Sequence, residues 1–489
     1  MSAGGLNRRI MKKIFNRLAV LAAVALLWAV SGCSSQKQPL DPSAPTVVTL
    51  WHAYNAYAKV EFDKCIETFN DTVGKEKGII VDAYGYGASD ELDEALYGSA
   101  NQVIGSDPLP DLFTAYPDSA YRLDQIAPLM DLRNYFSEED LAKYRPEFLQ
   151  DGIWEEDGAR KMLPIAKSTE LLFVNETEYS RFARATGADP AELSTWEGLA
   201  KTAEAYYQWS GGKPFLGMNS YNDFALLSAV QLGREPYRPE NGSVVFDYPQ
   251  EAAKRVWDVY YVPHLMGWYR SETFNQDGIK SGNLTAYIGS SAGAGYFPED
   301  VIVSGAESYP IECTVRPYPT FEGRAELMTQ RGANLCGFAS DEAHEVAAAE
   351  FMKWFTDPEQ NAAFAVSTGY IPVEREAFSS LPELLKYVRP EDNNLAVEKS
   401  VAAAFEAMET KEFYVKRSFE NSYSANQLFG DSLSQKVNLD LEELRLRVES
   451  GEKEEAVLAD FLSEENFRSW YAGLTAKMSE VLAGEEHEE

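Results

Sequence analysis

Three short, largely apolar runs separated by two amphipathic stretches constrain this chain before anything else does. Thr46 to Trp51 is the first run, Ile79 to Tyr84 the second and Asp111 to Ala115 the third. Between the first two, Ala58, Phe62, Ile66 and Phe69 recur at helical spacing. Leu92, Ala95, Leu96 and Val103 do the same between the second and third. Gly78, the turn at Gly85 to Gly87, and Pro108-Leu109-Pro110 punctuate the units. Strand, helix, strand, helix, strand predicts a parallel α/β sheet with helices on its faces. Ligands of such sheets bind beyond the carboxyl ends of the strands. Trp51-His52, Tyr84 to Gly87 and Tyr116-Pro117-Asp118 all fall there, which is a first argument for a site.

A second α/β unit follows. Leu171 to Val174 reads as a strand, and Leu199, Ala203 and Tyr206 lie on a helix after Ser194-Thr195-Trp196. Phe224 to Leu232 is helical and stops at Gly233; residues 234–250 are a loop or hairpin. Ala252 to Tyr261 is a helix ending near Pro263. Leu284 to Ile288 is a strand running into Gly289-Ser290-Ser291-Ala292-Gly293. Ala347, Phe351, Trp354 and Phe355 mark a helix with a wide apolar face. Asp357-Pro358 starts the next, with Asp as cap and Pro at the first position; it runs to Thr368, and Gly369 closes it. Beyond Pro372 the chain is mostly helical, and Phe467, Trp470, Tyr471, Leu474 and Met478 dock the last helix on a core.

The N-terminus carries an address. Arg8, Arg9, Lys12, Lys13 and Arg17 precede Leu18 to Val30, an uncharged apolar run of 13 residues. A spanning helix needs roughly 18 or more, so the run has the layout of a secretory signal. Ser31-Gly32-Cys33 resembles the bacterial lipobox. That resemblance implies a diacylglyceryl thioether on Cys33, cleavage before it and acylation of the new amine. Two or more acyl chains hold a protein on a membrane where one is marginal. Residues 34–45 read as a polar tether. Loss of residues 1–32 leaves 457, enough for two or three domains, and moves the net charge from −33 to about −38. So acidic a surface excludes nucleic acid and anionic bilayers as direct partners, leaving the lipid as the membrane contact.

Cys65, Cys313 and Cys336 give no even-numbered framework, so the fold does not rest on disulfides. A Cys313–Cys336 bridge and buried free thiols both stand as readings. His52, His264, His344 and His487 form no metal-binding spacing, so no zinc site and no cofactor are expected. Gly289, Gly293 and Gly295, and likewise Gly211-Gly212-Lys213-Pro214, lack the rest of a nucleotide fingerprint.

Four stretches together resemble the extracellular solute-binding proteins, family 1, which deliver sugars and related solutes to ABC importers. Val48 to Ala53 looks like the opening strand and first ligand loop, and Leu163 to Asn175 like the first crossing between lobes. Ile288 to Gly293 looks like a ligand loop of the second lobe, and Glu350 to Val373 is the most specific stretch. The resemblance implies a two-lobed periplasmic-binding-protein-like α/β fold of type II, with parallel-rich sheets, flanking helices and a hinged cleft. It implies lobe 1 over 46–163 and 330–368, and lobe 2 over 170–315 and 373–489. Hinge segments fall near 164–169, 316–329 and 369–372. It further implies a monomer on the extracytoplasmic face of the cell membrane, partnered with the transmembrane subunits of an ABC permease. Glycerol-phosphate binders of this family carry an acid after the third strand and a late Arg for the phosphate. Here Tyr116 stands about where that acid would be, and Ser422 to Gly430 has no Arg. A neutral mono- or oligosaccharide is therefore the favoured ligand, with a glycerol-phosphate type as the alternative.

A sugar needs flat rings to stack on and planar polar groups to hold its hydroxyls. Trp51 and Tyr370 are the stacking candidates. Tyr370 lies between the helix stop at Gly369 and Ile371-Pro372, on a stiff connector expected to face the cleft. His52 either donates to a hydroxyl or caps its turn. Tyr116 and Asp118 lie on the third loop, where Asp118 either binds ligand or caps the next helix. Ser168 and Glu170 sit at the crossing, where Glu170 either grips a hydroxyl pair or fixes the hinge. Gly289, Ser290 and Ser291 form a ligand loop or a plain turn. A surface glycosidase is the competing class; it needs two carboxylates roughly 5 or 6.5–9.5 Å apart. No nucleophile signature supports an enzyme.

Overall fold

The computed structural model describes residues 40–484, apart from 155–157, 219–220, 241, 271, 305–306, 333, 379 and 389–394. The signal segment, Cys33 and the start of the tether lie outside the described residues. In chain order the strands of the two main sheets are β1 (Thr46–His52), β2 (Ile79–Gly85), β3 (Leu112–Ala115), β4 (Met162–Pro164), β5 (Glu170–Asn175), β6 (Leu216–Met218), β7 (Tyr269–Arg270), β8 (Ala286–Ser290), β9 (Cys313–Pro317) and β10 (Asn334–Gly337). Among the helices around them are α1 (Ala56–Phe69), α2 (Ser89–Ala100), α3 (Pro117–Asp124), α4 (Tyr221–Gln231), α5 (Glu342–Phe355), α6 (Pro358–Ser367), α7 (Leu395–Thr410) and α8 (Ser422–Glu449).

The first sheet has the order β2-β1-β3-β10-β4 and the second β9-β5-β8-β6-β7. β1 pairs parallel with β2 and β3, as the alternation of strand and helix predicts. β10 then joins β3 and β4 antiparallel. It reaches the first sheet only after the chain has built the second, so no β-α-β crossover dictates its direction. The second sheet is mixed as well: β8 is parallel to β6 but antiparallel to β5, and β9 is antiparallel to β5. The result is a two-lobed α/β molecule.

One core packs mainly on the first sheet and takes in Leu171, Phe173 and Tyr287 of the second, and another packs on the second sheet alone. Val48, Leu50, Phe62, Phe69, Phe351 and Phe355 are buried on the first, and Val174, Trp196, Trp257, Tyr260 and Phe429 on the second. The α6 helix starts at Pro358, but the Asp357 side chain makes no capping bond; its carbonyl accepts the Asn361 N–H at 2.8 Å. The helix expected to stop near Pro263 runs over Gln250–Leu265 and contains it. Pro263 lies in the last turn, where its missing N–H loses one bond and the buried Tyr260, Tyr261 and Leu265 keep the helix on the core. The second helix ends at Ala100, before Val103. Cys313 in β9 and Cys336 in β10 belong to different sheets, and both are free and buried, which removes the bridge reading.

Three stretches distant in sequence, around Ser168, Arg331 and Ile371, are stitched together by backbone bonds. The Ser168 N–H donates to the Arg331 carbonyl at 2.9 Å, and the Arg331 N–H returns to Ser168 at 2.8 Å. The Lys167 N–H donates to Ile371 at 3.0 Å, and the Ile371 N–H returns at 2.5 Å. At Gly332 (φ 89°) a Cβ would stand 2.2 Å from the Ala166 carbonyl, so only glycine lets these strands approach. Lys167 is fully enclosed and paired with Asp151 at 2.6 Å.

Candidate functional site

Arg331 follows directly from this stitching, because the bonded backbone at Ser168 fixes where its side chain leaves the crossing. Its guanidinium pairs with Glu170, at the start of β5, and its Nε lies 2.9 Å from the Asp223 carboxylate on α4. Burial opposes the Arg331 charge, but Asp223 and Glu170 more than offset it and hold the group firmly protonated. Burial also raises the Glu170 carboxyl despite the guanidinium beside it. Glu170 is 1% exposed, and its Oε2 has no hydrogen-bond partner among the described residues.

Arg331 lines two cavities. The larger, of about 1160 Å³, is bounded by Asn55 after β1, by Ile288, Gly289 and Ser290 at the end of β8, and by Thr273 to Lys280 and Pro298 to Ser308. It lies at the carboxyl ends of β1 and β8, where such sheets receive ligands. Two aromatic side chains on its wall face solvent: Phe274 is 64% and Tyr296 54% exposed. The smaller cavity, of about 420 Å³, is bounded by α2, by the Tyr116-Pro117-Asp118 turn and by Tyr423 to Asp431 of α8. There the lobes touch. The Asp118 carboxylate accepts from Asn426 Nδ2 at 2.9 Å and Ser422 Oγ at 3.2 Å, and pairs with Lys416 at 2.5 Å. The Arg122 guanidinium stands 4.2 Å from the ring centres of both Tyr97 and Tyr423.

The sequence model of the bacterial extracellular solute-binding proteins matches residues 64–384. The chain belongs to this family. No curated protein matches it in sequence. Among solved structures, the cyclic α-maltosyl-1,6-maltose binding protein of Arthrobacter globiformis is 18% identical, with a TM-score of 0.65 over 90% of this chain and 100% of that one. UgpB of Mycobacterium tuberculosis, solved with glycerophosphocholine, is 16% identical, with a TM-score of 0.63 over 90% and 99%. The sugar-binding protein MalE of Xanthomonas citri is 17% identical, with a TM-score of 0.62 over 90% and 98%. At these identities the likeness establishes a shared fold.

In this solute-binding protein the residues singled out from the sequence fall into three groups. Glu170, Gly289 and Ser290 line the larger cavity, and Tyr116 and Asp118 the smaller one. Ser290 Oγ also accepts the Ala292 N–H at 3.3 Å, closing the turn after β8. Ser168 and Ser291 lie at the crossing, both buried, with the Ser291 N–H on the Thr169 carbonyl at 2.8 Å. Trp51 and His52 line neither cavity. Trp51 is 8% exposed and packs on Tyr86 with ring centres 5.1 Å apart. His52 is enclosed between Tyr54 and Phe62, and its Nδ1 accepts the Tyr54 N–H at 3.2 Å. Burial drops the His52 imidazole to about 4, so it is neutral at physiological pH. Tyr370 likewise lines neither cavity: its ring stacks on Phe364 at 6.3 Å and meets Tyr54 edge-on at 6.1 Å. Burial raises its phenol, with Tyr116 and Arg331 in electrostatic range.

Sequence reasoning passed over Arg331, Phe274, Tyr296, Lys416 and Tyr423. For Arg331 there was a signal: an Arg followed at once by Gly332, at the return to a buried apolar run. For Phe274 and Tyr296 the sequence offered none, since an exposed ring and a core ring read alike without the fold.

Proposed function

We propose that this solute-binding protein captures a carbohydrate between its lobes and passes it to the transmembrane subunits of an ABC importer. The observation that carries the reading is the larger cavity, which combines outward-facing Phe274 and Tyr296 with the hydroxyl of Ser290 and the carboxylate of Glu170. Rings offer faces to sugar C–H groups, and the polar groups meet hydroxyls. Its volume exceeds the roughly 300–1,000 Å³ of most small-ligand pockets, which favours an oligosaccharide. Two of the similar structures are of proteins named for binding maltose-type sugars or a sugar. Closure proceeds by bending at the three stitched segments around Lys167, Arg331 and Ile371. The protein binds without catalysis, acts as a monomer and is held at the extracytoplasmic face through lipid on Cys33.

Arg331 favours a second reading, a phosphate-bearing ligand like the glycerophosphocholine found with UgpB. Glu170 and Asp223 already occupy its guanidinium, however, so a phosphate would have to displace them. A thermal-shift screen over mono- and oligosaccharides and glycerol phosphates, followed by calorimetry and scattering, tests the proposal. A neutral sugar is expected to bind tightest, to shrink the radius of gyration and to be recovered intact. Tighter binding of glycerol 3-phosphate, or cleavage of the sugar, overturns the reading. Cys33→Ser should yield chain without acyl mass; a lipidated mutant removes the anchor.

A further inference from the structure

The two cavities are built differently. The smaller one is shared, since Asp90, Tyr116 and Asp118 of the first lobe meet Lys416, Tyr423 and Asn426 of the second across it. The larger one is one-sided. Its residues from Thr273 to Ser308 all come from the chain between β7 and β9, which belong to the second sheet. Glu170 and Arg331 add to it from the crossing. Of the described residues on this wall only Asn55, just after β1, is left to represent the first sheet.

The local structure around Asn55 is not explained by the helix it begins. It precedes α1, at a position where an Asn side chain ordinarily accepts an N–H of the first turn. It makes no such bond. Its Nδ2 donates instead to the Gly87 carbonyl at 2.7 Å, in the turn after β2. That bond fixes the amide's orientation, because a carbonyl can only accept. Oδ1 is left over on an exposed residue, without a hydrogen bond among the described residues. Ala56, the next residue, holds φ 42°, a left-handed value that is costly for any residue but glycine. Local stability is given up here, on the first lobe's one contribution to the larger cavity.

We infer that the sugar docks on the second lobe while the cleft is open, and that Asn55 is the contact through which the first lobe then closes on it. This rests on the carbohydrate reading above and adds the order of events. The exposed rings of Phe274 and Tyr296 and the Ser290 hydroxyl stay together when the lobes part, so most of the ligand's surface exists before closure. Asn55 Oδ1 arrives last, and as an acceptor it takes a hydroxyl hydrogen of the ligand. Contacts made on docking set the apparent kon, and a contact made on closure sets koff.

Glucose, maltotriose, cellotriose, xylotriose and raffinose are the probes, and the tightest binder is carried into stopped-flow fluorescence with the full chain. Phe274→Ala and Tyr296→Ala should each lower kon by about fivefold or more. Asn55→Ala should leave kon near the parent's and raise koff by about 2- to 12-fold, the worth of one hydrogen bond. All three side chains are exposed, so the free variants should melt with the parent. Asn55→Asp separates a ligand contact from a turn-holding role, because it keeps an acceptor and loses the bond to Gly87. It should return koff toward the parent value. An Asp variant as fast to release as the Ala variant overturns Asn55 as a ligand contact. Asn55→Ala acting on kon, or ring variants acting on koff alone, overturns the order and leaves the carbohydrate reading standing. If none of the probes binds, the carbohydrate reading falls and this inference falls with it.

Discussion

Asp118 and Lys416 face each other across the cleft, Oδ2 to Nζ 2.5 Å, and tie the first turn of α3 to the segment that leads into α8. Burial works against the Lys416 charge, and Asp118 more than compensates, so the ammonium is stabilised. Ser422 and Asn426 complete the ring of donors around this carboxylate. The cluster joins elements about three hundred residues apart in sequence, and it exists only while the lobes touch.

Asp118→Asn should therefore act on closure more than on folding. Loss of a partly buried, hydrogen-bonded pair is expected to cost about 1–2 kcal/mol in the closed state, a rise in Kd of roughly 5- to 30-fold. The melting temperature of the free protein should move little. Calorimetry and thermal melts on one preparation check this, and an unchanged Kd would show that the pair plays no part in binding.

Arg331 should be a residue whose loss strands its partner. With Arg331→Ala the Glu170 carboxylate, 1% exposed, keeps its burial and loses its cation. Breaking such a pair costs about 3–5 kcal/mol. Adding Glu170→Gln should recover a large part of that, because a neutral amide is cheaper to bury. Denaturant melts of the two single mutants and the double give the coupling; strictly additive costs would mean that the two side chains do not depend on each other.

These two clusters also mark where the sequence stopped being legible. The opening strands and helices were readable because each carries its own period, and α1 and β1 to β3 fall close to where the pattern puts them. β10 was not, because Asn334 to Gly337 is four residues with no alternation and owes its place to β3 and β4 on either side. The 28-residue α8 read only as generally helical, so its role as a wall of the cleft stayed hidden. Asp118 was legible as a residue at a strand end. Its partners Lys416, Ser422 and Asn426 were not, since nothing local marks residues that meet by lobe contact. His52 shows the reverse: strand-end position suggested a donor to ligand, but Phe62 and Tyr54 enclose its ring.

Glu374 gives a pH dependence with a definite sign. It is 5% exposed, and burial pushes its carboxyl up to about 7, with Lys143 opposing and Asp357 adding to the shift. An acid whose folded value is raised favours folding while protonated, so its contribution is intact below the ordinary value near 4.5 and is lost as pH climbs to 7. Glu374→Gln should match the parent at pH 4.5 and be more stable at pH 8, by about 3 kcal/mol at most. His52 and His264, depressed by burial to about 4 and 3, act in the opposite direction as pH falls below 6.5. The parent profile should therefore be shallow and the variant profile steeper. A gap between the two proteins that does not change with pH would remove Glu374 as its source.

Tyr370 can be divided into a packing part and a binding part. Its ring leans on Phe364 and Tyr54 within the first-lobe core, so the connector alone does not determine its role. A cleft residue free of the core would lose affinity and little stability on truncation, which is what the stiff Gly369-Tyr370-Ile371-Pro372 segment suggests by itself. With the ring packed, Tyr370→Ala should instead cost about 3–5 kcal/mol of stability, the scale of deleting a large core side chain. The hydroxyl is a separate matter, because it lies in electrostatic range of Tyr116 and Tyr296, which line the smaller and the larger cavity, and of Arg331, which lines both. Tyr370→Phe keeps the ring and removes only that group. It should melt within a degree or two of the parent and bind sugar more weakly by about 0.5–1.5 kcal/mol, the net worth of one hydrogen bond. Should Tyr370→Phe bind as tightly as the parent while Tyr370→Ala loses stability, Tyr370 is a core residue that happens to border the cleft.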